Sequence, residues 1–154
     1  MKTDISTEEL MDVLKQTPPE AVGSFAGQQK DAMATDERPF YTYMKAMFLQ
    51  HGRKIKDVLL TADFSDSYGQ KLLRQERHTS ERDYILRLCL AGELELAEIQ
   101  RALKLYGMAP LYPRVERDAV LISCIYHGKH EIDAVNDALD AAGMEPLRAS
   151  SEPA

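Results

Sequence analysis

Arg82-Asp83-Tyr84-Ile85-Leu86-Arg87-Leu88-Cys89 is repeated in outline by Arg117-Asp118-Ala119-Val120-Leu121-Ile122-Ser123-Cys124. The likeness runs on past a one-residue insertion. Gly92 then aligns with Gly128, Glu95 with Glu131, and Ala102-Leu103 with Ala138-Leu139. Gly107-Met108-Ala109-Pro110-Leu111 aligns with Gly143-Met144-Glu145-Pro146-Leu147. Identical pairs in this order over about 30 positions mark an internal repeat, with copies at 82–111 and 117–147. Each copy reads as a helix, a Gly turn, a second helix and a closing Gly-Met-x-Pro-Leu. Gly107 and Gly143 sit where a helix closes in the left-handed conformation. Pro110 and Pro146 forbid its continuation. The Leu after each Pro is expected to tuck back onto its own pair. Two such pairs are expected to stack, each covering the apolar face of the other.

Outside the repeat, the periodicity is again helical, and no alternating run rich in Val, Ile and Thr suggests a sheet. A first helix is expected over about 7–16, capped by Ser6 or Thr7, with Leu10, Val13 and Leu14 on its apolar stripe. Residues 20–37 give no clear reading. Helices follow over about 39–51, 55–62, 66–75, 80–91, 95–106, 115–127 and 131–142. The expected fold class is all-α. The expected domains are an N-terminal helix and linker over 1–37, one folding unit over 38–147, and a flexible polar tail over 148–154.

The net charge of −6 is unevenly spread. Residues 1–39 carry −4, residues 40–92 carry +3 and residues 93–154 carry −5. Only the middle segment suits a polyanion, while the acidic flanks suit a protein partner. No stretch approaches the roughly 18 apolar residues of a membrane span, so no membrane partner is expected. Met1-Lys2-Thr3-Asp4 opens no signal-peptide core, and a cytoplasmic location is expected. Cys89 and Cys124 lie in apolar helical runs and read as buried thiols. His51, His78, His127 and His130 fall near helix ends, where capping or solvent exposure is the default. His127 and His130 stand three apart across a Gly turn, yet no metal pattern forms around them. No phosphate loop, nucleophile elbow or His-Glu-x-x-His motif occurs, so neither catalysis nor a cofactor is expected.

One stretch carries a resemblance. Residues 52–80 run from Gly52-Arg53-Lys54-Ile55-Lys56-Asp57-Val58 through Phe64-Ser65-Asp66-Ser67-Tyr68-Gly69-Gln70-Lys71-Leu72 to Arg77 and Ser80. Without gaps, this stretch resembles the Cro/repressor, or Xre-type, helix-turn-helix. Val58 and Ala62 match apolar positions of the scaffold helix, Phe64 the apolar turn residue and Ser65 the cap of the recognition helix. Leu72 matches a core position of that helix, and Arg77 lies in the basic connection after it. Ser67-Tyr68-Gly69, Arg82-Asp83 and Ala109–Arg114 are similar to signatures of divergent bacterial Xre-like proteins, which extends the likeness over about 40–147. Three positions depart from the pattern. The family's turn Gly is Asp63, a core aliphatic is Gly69, and the closing Glu-x-Gly is Leu73-Arg74-Gln75.

The resemblance implies a DNA-binding transcriptional regulator, its Cro/repressor-like bundle extended by the tandem helix-pair repeat. It implies double-stranded DNA as partner and a homodimer matched to two half-sites. A recognition helix at about 66–75 presents first-turn side chains to base edges. Ser65, Asp66, Ser67 and Gln70 are then expected to face bases, with Tyr68 near the rim. Lys54, Lys56, Lys71, Arg74 and Arg77 are expected on phosphates. The other expectation is a protein-interaction adaptor, of antitoxin or phage-defence kind, that keeps the fold and does not bind DNA. Asp66, Gly69 and the acidic flanks favour it.

Overall fold

The structure, a computed structural model, describes residues 38–150; the helix expected over 7–16, the segment 20–37 and the end of the tail lie outside the described residues. Within that range the chain forms only helices. They are α1 (Pro39–Gln50), α2 (Ile55–Thr61), α3 (Asp66–Leu73), α4 (Arg82–Ala91), α5 (Leu96–Tyr106), α6 (Glu116–Tyr126) and α7 (Ile132–Ala141). Each expected helix in this range is present, with ends within about two residues. No helix among the described residues is long and apolar enough to cross a membrane. Among the described residues, those from Phe40 to Ser150 belong to one compact unit.

The core explains why α4 sits at the centre. Ile85, Leu86, Leu88, Cys89, Leu90 and Ala91 are all buried, so this helix is apolar nearly all round and must be covered on every side. Packed on it are α2, α5 and α7. From α1, Phe48 reaches the end of α4, and the Phe40 ring meets Tyr106 of α5 edge-on at 4.9 Å. The Phe48 ring lies where a side chain on Gly92 would stand, with ring carbons 2.5 and 2.6 Å from an ideal Cβ. Gly92 therefore serves close approach of α1, and its φ of −81° is ordinary.

That observation corrects the sequence alignment of the two copies. The left-handed residue after α4 is Glu93, at φ 61°, and after α6 it is Gly128, at φ 73°. The amides of Leu94 and Lys129 then bond the carbonyls of Cys89 and Cys124 in the same way. Gly92 thus corresponds to His127, and the inserted residue falls one turn later, beside His130. The His130 ring nitrogen lies 2.8 Å from the carbonyl of Leu94, so the insertion is used to tie the second copy to the first. At the other end of each pair Gly107 and Gly143 are both left-handed, at φ 88° and 72°. These two glycines do serve the helix-closing role expected of them.

The copies do not stack by simple translation. The first helix of each packs on the second helix of the other, α4 on α7 and α5 on α6. This is the contact pattern of a two-fold, in which i meets j and j meets i. The Arg-Asp dipeptides make the exchange explicit. Arg82 donates both guanidinium nitrogens to the carboxylate of Asp118. Arg117 donates both of its own to Asp83, at 2.9 Å each. Each Arg also reaches carbonyls of its own closing segment, Ala109 and Pro110 for Arg82, Glu145 and Pro146 for Arg117. Each Asp accepts one further backbone amide, from Tyr112 to Asp118 and from Arg148 to Asp83. Gln100 and Asn136 repeat the theme. Their side-chain oxygens accept the amides of Leu111 and Leu147 at 2.7 and 2.8 Å, which seats each Leu in the core.

These pairs are buried enough to matter, since Asp118 is 2% exposed and Asp83 7%. Burial pushes the Asp83 carboxyl up. The hydrogen bonds from Arg117 and from the Arg148 amide, with the charges of Arg117 and Arg82, outweigh it and hold the group below its ordinary 3.8. A carboxyl depressed on folding contributes stability that is complete above its unfolded value and lost as pH falls through its folded one. The stability gap between the native chain and Asp83→Asn, read from urea midpoints, is therefore expected to be level above about pH 5 and to narrow below about pH 4. A gap that widened in acid would contradict the pairing.

Candidate nucleic-acid interface

The sequence places the candidate residues on α2, α3 and the connection after α3. Ser65 caps α3, its hydroxyl accepting the amide of Tyr68 at 3.1 Å. Between the two helices Asp63 takes a left-handed φ of 66° and Gln75 ends α3 with φ 58°. These are the positions where the resembled family places glycine, and short polar side chains such as Asp tolerate that conformation better than most. Gly69 is explained by its neighbour. A Cβ there would come within 2.4 Å of the Leu59 side chain, so α2's leucine fills the volume that an aliphatic on α3 would take.

This packing fixes which side of α3 faces out. Gly69, Leu72 and Leu73 are buried, and Tyr68 is half-buried. At 100° per residue the opposite face carries Ser67, Lys71 and Arg74, with Asp66 and Gln70 at its edge. Asp66, Ser67 and Lys71 are exposed, and so are Lys54 just before α2, Lys56 on it and Arg77 after α3. Asp66 stands in the first turn, where a carboxylate suits the positive end of the helix.

Four expected contact residues, Tyr68, Gln70, Arg74 and Arg77, are engaged or turned within the fold itself. Tyr68 is not a free rim residue. Its ring belongs to an aromatic trio with Phe64 at 5.9 Å and Tyr84 at 6.4 Å, and Phe64 meets Tyr84 edge-on at 5.7 Å. The trio seats α3 on α4. The Arg77 guanidinium lies over Tyr68 at 5.7 Å, and the Arg74 guanidinium over Tyr41 of α1 at 5.6 Å. Lys45 stands over the same Tyr41 ring at 4.7 Å, so α1 adds a cation to the same neighbourhood. Gln70 turns its Oε1 into a buried place with no hydrogen-bond partner.

The residues that the sequence reading missed lie elsewhere. Arg87 is 6% exposed, and its guanidinium bonds three carbonyls: Ala62 at the end of α2, and Leu147 and Arg148 after α7. Glu98 gathers His51 at 2.7 Å, Gln50 at 3.4 Å and the Glu95 amide at 2.8 Å, tying the end of α1 to the start of α5. His51 is thus a hydrogen-bond partner of Glu98 and not a solvent residue. His78 stacks on Tyr106 at 5.0 Å, and His127 bonds the Ser123 carbonyl within its own helix. No group of three metal-ligating side chains occurs among the described residues. Cys89 and Cys124 are buried free thiols at equivalent places in the two copies, and burial pushes both up from the usual thiol value.

Comparison with protein-family models, with curated proteins and with solved structures finds no match to this chain.

Proposed function

We propose that the protein is a DNA-binding transcriptional regulator that presents α3 to the major groove of duplex DNA. The observation that carries the reading is the outward face of α3. It holds Ser67, Lys71 and Arg74, on a helix capped by Ser65 within the chain's net-basic segment. Ser65 and Ser67 are of the type that bonds base edges, and Lys54, Lys56, Lys71, Arg74 and Arg77 of the type that holds phosphates, whereas Gln70 has its Oε1 buried. Asp66 accepts from a cytosine amine or serves only the helix end. Tyr68 holds the helix in place. A helix in the groove must carry its neighbours on the phosphates, so Lys71→Ala and Arg74→Ala each weaken binding to random duplex several-fold at low salt. Fluorescence anisotropy checks this, and unchanged affinity in both variants removes α3 from the interface.

A second reading has its own observation. Leu49 on α1 is 82% exposed and Leu60 on α2 is 77% exposed, and exposed leucines mark a protein contact surface where they join into one patch. Under that reading the chain is a protein-interaction adaptor, and Leu60→Ser abolishes capture of the partner while leaving the helical circular dichroism intact.

A further inference from the structure

A free polar tail was expected from residue 148 onward, but its first residues are held, as is Leu147 before them. Leu147 is buried, and its amide bonds Asn136. The Arg148 amide bonds Asp83, and its side chain pairs with Glu81 at 3.1 Å. The Ala149 carbonyl lies 3.5 Å from the Tyr84 hydroxyl. The carbonyls of Leu147 and Arg148 both accept from Arg87, at 2.8 Å each. The third arm of that guanidinium goes to the carbonyl of Ala62, at 3.3 Å. Ala62 is the residue before the left-handed Asp63, which opens the turn from α2 into α3.

One buried guanidinium therefore has two acceptors on the C-terminal segment and one on the turn that orients α3. Tyr84 makes a parallel link, since its hydroxyl reaches Ala149 while its ring packs on Phe64 and Tyr68. A buried cation that loses two of three acceptors cannot stay as it is. It must recruit water or move, and either change acts on the Ala62 carbonyl. We propose that residues 144–150 are a strap that sets the rigidity of the α2–α3 turn through Arg87, so that whatever lifts the strap loosens α3. As a control on DNA contact this rests on the reading above. As a mechanical coupling it does not.

Hydrogen exchange on the full chain tests it without DNA. The reporters are the amides of Asp63, Phe64, Tyr68 and Gly69, all hydrogen-bonded within the turn and the start of α3. The reference is the middle of α5. A chain ending at Pro146 is expected to exchange the reporters about tenfold faster relative to the reference, as a local opening does. In an Arg87→Met background the same truncation is expected to add little, because the link is already cut. Equal acceleration of reporters and reference, or truncation effects that simply multiply with Arg87→Met, overturns the proposal. If the truncated chain does not fold, Arg87→Lys decides alone. It keeps the charge but cannot span three carbonyls, so it must loosen the reporters more than α5, and no difference overturns the proposal.

Discussion

Arg82→Met is expected to destabilise the fold by about 3 kcal/mol or more, although Arg82 itself is a quarter exposed. The cost arises at the partner. The Asp118 side chain is 3% exposed, and without Arg82 it keeps the amide of Tyr112 and the more distant charge of Arg117 but loses its paired guanidinium. A buried carboxylate left in that state carries an uncompensated desolvation cost. Removing both charges should be far milder. Arg82→Met with Asp118→Leu is expected to recover most of the loss, because apolar groups of similar size replace a buried ion pair at little net cost. Urea unfolding of the four chains of this cycle gives the answer. A single-variant cost below about 1 kcal/mol, or a double variant as damaged as the sum of its parts, would mean that the exchanged pairs are ornaments of the surface.

Gly92→Ala carries the second large effect. Ala is the better helix former, and by propensity alone the change would stabilise the end of α4 by nearly 1 kcal/mol. The neighbour reverses the sign. The added methyl would stand against the edge of the Phe48 ring, which is 1% exposed and cannot swing away as a leucine tip can. Overpacking of this kind costs about 1–3 kcal/mol. Phe48→Leu in the Gly92→Ala background should return part of that, and a thermal melt of the three variants separates the outcomes. A stabilised Gly92→Ala chain would show that α1 does not pack here.

Much of this architecture could be read before any coordinates, and the reasons are local. Apolar spacing, Ser65, Gly107, Gly143 and the two prolines specify helix positions within one or two turns of chain. The repeat was legible from identical residues. What those residues do was not legible, because Arg82 and Asp83 look like an exposed dipeptide until the second copy is turned over to meet them. The chemically similar pair Gln100 and Asn136 carried a signal that identity alone passes over. Gly92 shows how an alignment by identity misleads, since its glycine answers to a ring 44 positions earlier and not to the turn that Gly128 makes. Arg87 sits in an apolar helical run, and a lone arginine in such a run was the available clue to a buried cation. Its partners lie far off in sequence, so no local pattern could name them.

For the α2–α3 segment the balance differs. The departures from the family pattern find physical answers, with Asp63 and Gln75 left-handed and Leu59 filling the place over Gly69. Those answers account for how the helices pack. They leave the reading of DNA contact on the outward residues of α3 and on the lysines beside it. Charge alone does not decide it, because the same middle segment that carries +3 adjoins one of −5.

The measurement closest to that reading is the salt dependence of duplex binding by the full chain. Contact by Lys54, Lys56 and Lys71 with phosphates must release counterions, about 0.9 per phosphate on B-form DNA. Anisotropy titrations are therefore expected to detect binding to random duplex at about 50 mM salt and a loss of on the order of tenfold or more in affinity by about 200 mM. No binding at low salt, or an affinity indifferent to salt, would contradict a role for α3 on DNA.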